Sequence, residues 1–167
     1  ALVRYFEWLG GAIMFDFGSS IVTQEPVMSV IGERFMNTLF LASYAAAIAV
    51  PFAIVLGVVV ALLRNTIFDR VANVATLTSI SSPEFFLGYI LILFFSVKWG
   101  MFPAIASIND GMSFGELLNR TFLPALTLGV YQLTLTMRLV RAEMMEVMRS
   151  DYIRFATARG IPYRSLY

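Results

Sequence analysis

The chain is short, strongly apolar and almost neutral. Its 167 residues are 59% hydrophobic and 14% charged, with a formal net charge of +1, and the mean hydropathy is +0.77. These values lie outside the range of soluble domains and predict an integral membrane protein, which the helix-length apolar stretches described below make all-α. The absence of cysteine and histidine excludes disulfide frameworks, ordinary zinc sites and the common catalytic pairs. We therefore expect no enzyme activity, no metal, no cofactor and no nucleic-acid partner.

Residues 1–34 begin with ALVRYFEWLGG, which has no initiator Met, no apolar signal-peptide core and no cleavage site. We therefore expect the sequence to be a fragment of a longer protein, with a membrane helix upstream. Tyr5, Phe6 and Trp8 are side chains that favour the lipid headgroup layer. The segment is predicted to contain a helix at the membrane interface.

The first predicted span is residues 35–63, which carry no charge and exceed the roughly 20 helical residues that cross a bilayer. Pro51 lies inside this stretch and is predicted to bend the helix. Gly57 is predicted to allow the close approach of a neighbouring helix.

The second predicted span is residues 71–97, interrupted by Glu84 beside Pro83. An ionisable side chain at that depth either faces a cavity or caps backbone groups that the proline leaves unpaired, and we favour the second interpretation. Ser82 and the other hydroxyl residues before it could line a polar path with Glu84. Such hydroxyls more often bond their own helix or a neighbouring one.

Loop 98–120 contains Trp99 and Phe102, which predict a second aromatic belt at the membrane surface. The third span is predicted at residues 121–140, with Pro124 in its first turn. Tyr131 and Gln132, with two threonines that follow them, form a polar cluster in this span. They could line a pore or make hydrogen bonds between helices, and the sequence does not distinguish the two.

The C-terminal tail, RLVRAEMMEVMRSDYIRFATARGIPYRSLY, has six arginines and three acids. No breaker precedes Gly160, so we expect the third helix to continue past the membrane. Tyr152, Phe155, Ala156 and Arg159 recur at helical spacing and predict one aromatic and basic face. Gly160 fits the residue that follows a helix, so a protein-docking element is predicted. The alternative is an anchor whose arginines neutralise lipid phosphates.

The basic residues predict the orientation of the three spans. Lys and Arg number four on the side of residues 1–34 and loop 98–120, against eight on the side of loop 64–70 and the tail. Since basic residues concentrate on the cytoplasmic side, the tail is predicted to be cytoplasmic and residues 1–34 external.

The order of several motifs resembles one family of bacterial membrane proteins. These motifs are YFEWLGG, FDFGSS, ERFMNTLFLA, SSPEFFLG, WGMFPA, LPALTL and RAEMMEVMRSDYIRFATARGIP. Together they resemble the dipeptide/oligopeptide/nickel-type permease subunits of ABC importers, binding-protein-dependent transport systems of the inner membrane. The resemblance implies a polytopic helical bundle of the type I importer permease fold, of which this fragment would be helices two to four and most of the first periplasmic segment.

In this family an EAA-type loop carries a coupling helix that docks on the ATP-hydrolysing subunit, which places the loop at about 149–167 here. Arg154, Phe155 and Ala156 fall at the three EAA positions. Arg and Phe replace the Glu and Ala of the general motif, and Pro162 stands where Ser often caps the next helix. The implied coupling residues are Asp151, Tyr152, Arg154, Phe155, Ala156, Arg159 and Gly160.

The resemblance also implies the partners, for which the residues already described offer candidate sites. The partners are cytoplasmic ATP-binding subunits, a second permease subunit in a heterodimer, a periplasmic solute-binding protein and membrane lipid. Trp99, Phe102 and Asp110 are the candidate contacts with the binding protein, and Ser82, Glu84, Tyr131 and Gln132 are the candidate path residues.

The function expected is an inner-membrane permease that imports a small peptide or related solute by alternating access. No GxxxxGK[ST] loop occurs, so the partner would hydrolyse ATP. The alternative is a passive or gated channel whose basic tail binds lipid or a regulator. The solute stays open among peptides, glutathione, nickel chelates and oligosaccharides.

Overall fold

The computed structural model describes residues 2–108 and 111–162, and these are helical apart from turns and one isolated bridge between Ser19 and Pro26. The helices are α1 (Leu2–Ile13), α2 (Val27–Leu62), α3 (Ile67–Ser81), α4 (Glu84–Leu91), a π-helical segment (Ile92–Lys98), α5 (Phe114–Val147) and α6 (Asp151–Ala158). The chain forms two compact units, residues 1–43 and 44–167.

The first unit contains α1 and the beginning of α2. Tyr5, Phe6 and Trp8 are exposed on α1, and the Tyr5 and Phe6 rings meet edge to face at 5.5 Å. The connection to α2 is a hydrogen-bonded turn, in which the Val27 N–H donates to the Gly18 carbonyl at 2.9 Å. The expected helix is therefore present, and its aromatic side chains are more than half exposed.

In the second unit, α2 and α5 lie against one another through small residues. Small buried residues recur at every fourth position of this part of α2: Ala45, Ala49, Ala53, Gly57 and Ala61. Gly129 of α5 lies opposite Ala45 and Ala49, whereas Gly57 lies opposite Met137 and Val140. Contacts made by later residues of α2 fall on later residues of α5, so the two helices run parallel.

The close neighbour predicted for Gly57 is Val140. A β-carbon at Gly57 would lie 2.7 Å from the Val140 Cβ and 2.9 Å from the Met137 carbonyl oxygen. Helices approach this closely only where one of them has no side chain at the crossing. The core beside this crossing is Ala53, Val60 and Met137, with Leu56, Ala72 and Leu133 packed on it.

The second predicted span is not a single helix. The chain leaves the helical conformation at Ser82 and Pro83, and the axes before and after this break differ by 107°. The residue before a proline is disfavoured in the α conformation, which explains the position of the break. α4 then packs on α5, where Gly88 faces Thr127.

The third predicted helix differs from expectation at both ends. It begins at Phe114, because the Ser113 side chain caps it by accepting from the Glu116 N–H at 3.3 Å. Pro124 is therefore inside the helix and not in its first turn. The helix ends at Val147, so the predicted continuous helix to Gly160 is wrong. Ser150, in an extended conformation, starts α6 as a separate helix.

One helix in the described residues, α2, is long and apolar enough to cross a membrane, and α3 with residues 84–98 would make a second if the bent pair is one span. α5 does not meet the same requirement. Charged residues near both of its ends, and Gln132 with several threonines between them, lower its hydropathy. The count of three spans stays a prediction.

Candidate functional site

α6 follows α5 through a short turn whose backbone groups are paired. The Arg149 N–H donates to the Glu146 carbonyl and the Ser150 N–H to the Val147 carbonyl, both at 3.0 Å. Asp151 lies in the first turn of α6, where a negative charge is favoured by the helix dipole. It also pairs with Arg154 at 3.3 Å, although both side chains are largely exposed and such a pair adds little stability.

Gly160 ends α6 as the sequence predicts. Its φ is +82°, its N–H donates to the Thr157 carbonyl at 3.0 Å, and the Ile161 N–H donates to the Ala156 carbonyl at 3.2 Å. These are the two hydrogen bonds of a Schellman motif, which requires a left-handed residue at the position that Gly160 occupies. A short helix predicted to begin near Pro162 lies mostly outside the described residues.

The predicted face of α6 is present, but one of its four residues, Ala156, is buried. Tyr152 and Phe155 are 75% and 70% exposed, and together with Arg159 and Ile161 they surround a shallow concavity of about 590 Å³. Ala156 is only 7% exposed and forms the floor of this concavity. The face is therefore a shallow cup with an aromatic and a basic wall, suited to a partner's side chain.

Ser82 and Glu84 lie on either side of the break between α3 and α4. The Ser82 hydroxyl donates to the Thr78 carbonyl at 2.9 Å, and Thr78 and Ser79 likewise bond the carbonyls four residues before them. The expectation that these hydroxyls bond their own helix is confirmed. Glu84 is exposed and is the first residue of α4, where a carboxylate is favoured by the helix dipole. This position agrees with its interpretation as a residue at a helix break.

Tyr131 and Gln132 are exposed on α5. Gln132 donates its side-chain amide to the Thr136 hydroxyl at 3.2 Å, a hydrogen bond within α5 between residues four apart. Thr134 is buried and bonds the Val130 carbonyl of its own helix. Among the described residues, no hydrogen bond or ion pair joins this cluster to Glu84.

Trp99 and Phe102 belong to an aromatic cluster at the start of loop 98–120. The Phe95 ring meets Trp99 edge to face at 5.0 Å, and Phe102 stacks on Phe122 at 4.4 Å. Trp99 is exposed whereas Phe102 is half-buried, so Phe102 holds the loop against α5 and Trp99 offers a free surface. Asp110, the third candidate docking residue, lies outside the described residues.

A polar cluster at the start of α3 was not predicted from the sequence. Asp69 is 6% exposed, and Arg141 of α5 donates to its carboxylate from Nε to Oδ1 at 3.0 Å and from Nη2 to Oδ2 at 3.1 Å. The Asn73 side-chain amide donates to Oδ1 at 2.7 Å, and the Asn65 N–H to Oδ2 at 3.0 Å. The i,i+4 spacing of Asp69 and Asn73 was a visible signal, but nothing local pairs Asp69 with an arginine 72 residues away.

Residues 53–167 match the family of binding-protein-dependent transport system inner membrane components. The chain belongs to this family. It is 37% identical over 160 residues to a protein of Brucella abortus (strain 2308) named as a peptide transport system permease protein. It is 34% identical over 158 residues to the glutathione transport system permease protein GsiC of Escherichia coli (strain K12).

These alignments cover 96% and 95% of the chain but 51% and 49% of the two relatives. The chain thus spans about half the length of the relatives that it matches. The family is one of transport components and not of enzymes, and its members are components of the inner membrane. The resemblance to ABC importer permeases is confirmed.

Proposed function

We propose that the chain is part of a permease subunit that imports peptides or related small solutes by alternating access, driven by a separate ATPase. The observation that carries the proposal is α6: a short helix closed by the Schellman turn at Gly160, with Tyr152 and Phe155 exposed, in a chain of the binding-protein-dependent transport family. Large exposed aromatic side chains beside an arginine are typical of protein interfaces. The family also favours an importer over the alternative of a gated channel.

The ATPase is proposed to contact the cup on α6. Tyr152, Phe155 and Arg159 form its walls, and Ala156 its floor, while Asp151 and Arg154 lie on the exposed side of the helix. Since α6 is joined to α5 by a hydrogen-bonded turn, movement of α6 would displace the end of α5. The ATPase would thereby act on the membrane helices without contacting them.

Three spans are proposed, with the tail in the cytoplasm. The parallel contact of α2 with α5 supports this arrangement, because spans one and three of a chain must run in the same direction. The excess of basic residues in loop 64–70 and the tail supports the orientation. Residues 1–34 would then be periplasmic, with α1 lying at the membrane interface.

The transport path is proposed to run along the break between α3 and α4, with Ser82 and Glu84 on one side and Tyr131 and Gln132 on the other. A broken helix at membrane depth is found where the backbone is buried in protein or lines a water-filled cavity. Trp99, with Phe102 and Asp110, is proposed to meet a periplasmic binding protein. A second permease subunit would complete the path, and the names of the relatives indicate a peptide-like solute such as glutathione.

The proposal is tested on Phe155, with Phe85 as a matched control. Both phenylalanines are about equally exposed, at 70% and 69%, but Phe85 lies on α4. Phe155→Ala in the full-length permease should reduce the co-purification of the ATPase by at least tenfold, the effect of losing one aromatic hot spot of about 2 kcal/mol. Phe85→Ala should leave it unchanged. Equal ATPase recovery with both variants would contradict the proposed role of α6.

A further inference from the structure

A partly buried ion pair, between buried Asp69 and half-buried Arg141, joins α3 to α5 through residues that belong neither to the cup on α6 nor to the proposed path. The Arg141 guanidinium grips the Asp69 carboxylate with two nitrogens, and the nearest approach, from Nη2 to Oδ1, is 2.9 Å. A bidentate ion pair of this kind fixes the relative orientation of the two side chains as well as their separation, because the guanidinium and the carboxylate are both planar. It therefore sets the register of α5 against α3.

The same carboxylate holds the turn between α2 and α3. Asn65 in this turn has a φ of +65°, which is uncommon for a residue other than glycine, and its N–H donates to Asp69. Asn73 adds a hydrogen bond from the next turn of α3. One side chain thus ties together the α2–α3 turn, the first turns of α3, and α5.

α2 contacts α5 beside the ion pair, one residue before Arg141. Val140, the residue before Arg141, is the neighbour that leaves no room for a β-carbon at Gly57. From Arg141 the helix continues to Val147, and the hydrogen-bonded turn that follows leads directly to α6. A displacement of α6 therefore reaches the ion pair through two turns of helix and one tight turn.

We propose that Asp69 and Arg141 are positioning residues that make α2, α3 and α5 move together when α6 is displaced. The inference rests on the proposed function of α6 and adds the route by which its movement reaches the other helices. A buried ion pair gives little net stability, since desolvation offsets its attraction. Its contribution here is a fixed geometry between helices that are far apart in sequence.

The test measures whether α3 and α5 stay together during nucleotide-driven closure. The 167 residues contain no cysteine, so spin labels are placed at Arg70→Cys and Glu143→Cys, two exposed positions beside the pair. The distance between them is measured by electron paramagnetic resonance in the complete transporter, without nucleotide and with ATP plus vanadate. In the wild-type background the two states should give the same distance.

The test variant combines Asp69→Asn with Arg141→Gln, so no unpaired charge is left buried. Its label distance should equal that of the wild type without nucleotide and should change by roughly 1–2 Å with ATP plus vanadate, the scale of helix shifts at interfaces. Arg141→Lys keeps the charge but not the bidentate hydrogen bonding, and its label distance should change less with ATP plus vanadate than that of the double variant. The control combines Glu116→Gln with Arg120→Gln, which removes an exposed pair within α5, and should match the wild type.

An unchanged distance in the double variant would overturn the proposal, because packing alone would then hold α3 to α5. A change of equal size in both states would overturn it too, since that indicates general loosening of the fold. Absence of the ATPase from the wild-type complex is a separate result, which would refute the proposed function of α6.

Discussion

Gly160→Val gives the sharpest prediction, because the structure isolates its cause. Gly160 has a φ of +82°, and among the described residues, its two chain neighbours aside, a β-carbon at this position would meet no atom within 4 Å. Space is therefore available for a side chain. Any effect of the substitution must come from the backbone conformation and from the two hydrogen bonds that depend on it.

The magnitude follows from the left-handed conformation. It costs a residue other than glycine about 1–2 kcal/mol, and a β-branched residue such as valine should lie at the upper end. About 2 kcal/mol corresponds to a roughly thirtyfold loss in the population with the turn intact. Asparagine tolerates this conformation, so Gly160→Asn should lose much less.

The assay is co-purification of the ATPase with the full-length permease, together with solute uptake. Gly160→Val should lower both strongly while the protein still inserts into the membrane, and Gly160→Asn should retain most of both. Gly100→Val is the matched control, because Gly100 also has a positive φ, +60°, and open space around it. It carries the same backbone strain in loop 98–120 and should leave ATPase co-purification unchanged.

Stoichiometric ATPase and normal uptake with Gly160→Val would refute the reasoning. The turn would then not position a docking surface, even though its geometry is that of a Schellman motif. Equal losses with Gly100→Val would also refute it, because they would trace the effect to general instability.

Three further predictions concern topology, the helix break and the α2–α5 crossing. Ser150→Cys should be shielded from an impermeant thiol reagent in intact cells, whereas Asn109→Cys should react; labelling of Ser150→Cys from outside would reverse the orientation. Glu84→Gln keeps size and hydrogen bonding but removes charge, so it should lower uptake by the folded complex, as expected of a residue in the proposed path; normal uptake would leave Glu84 as a structural residue at the helix break. Gly57→Ala should lower the free energy of unfolding by about 1–3 kcal/mol through overpacking, and with it the melting temperature. Gly88→Ala is the control and should have no effect, because a β-carbon there would lie 3.5 Å from its nearest neighbour. Equal melting temperatures for the two variants would contradict the close crossing.

The sequence predicted the features that depend on local chemistry. Glycine is the usual residue in the left-handed conformation that follows a helix, so the sequence predicts a helix end at Gly160, and its φ of +82° is as expected. The hydroxyl groups of α3 bond their own carbonyls, which is a property of Ser and Thr in any helix. The shared face of Tyr152, Phe155, Ala156 and Arg159 follows from helical spacing, whereas its concave shape does not.

The sequence did not predict the features that depend on competing local signals or on contacts between residues far apart in the chain. The break before α6 was missed because the helical pattern continues through it. Ser150 followed by Asp151 is nevertheless the signature of a helix start. Pro83 signalled a break in the second span, but nothing local indicates an angle of 107°. The pairing of Asp69 with Arg141 required the fold itself.

The crossing at Gly57 and the ion pair of Asp69 depend on one another. A carboxylate is rarely buried unless it is paired and fully hydrogen-bonded, and Asp69 reaches Arg141 only because α5 lies close to α2 and α3. The approach at Val140 brings α5 that close, since Gly57 offers no side chain to hold it away. The alanines that recur along α2 make looser contacts and do not fix the register by themselves. The crossing at Gly57 and the ion pair of Asp69 each fit one register, and the ion pair extends that register to α3.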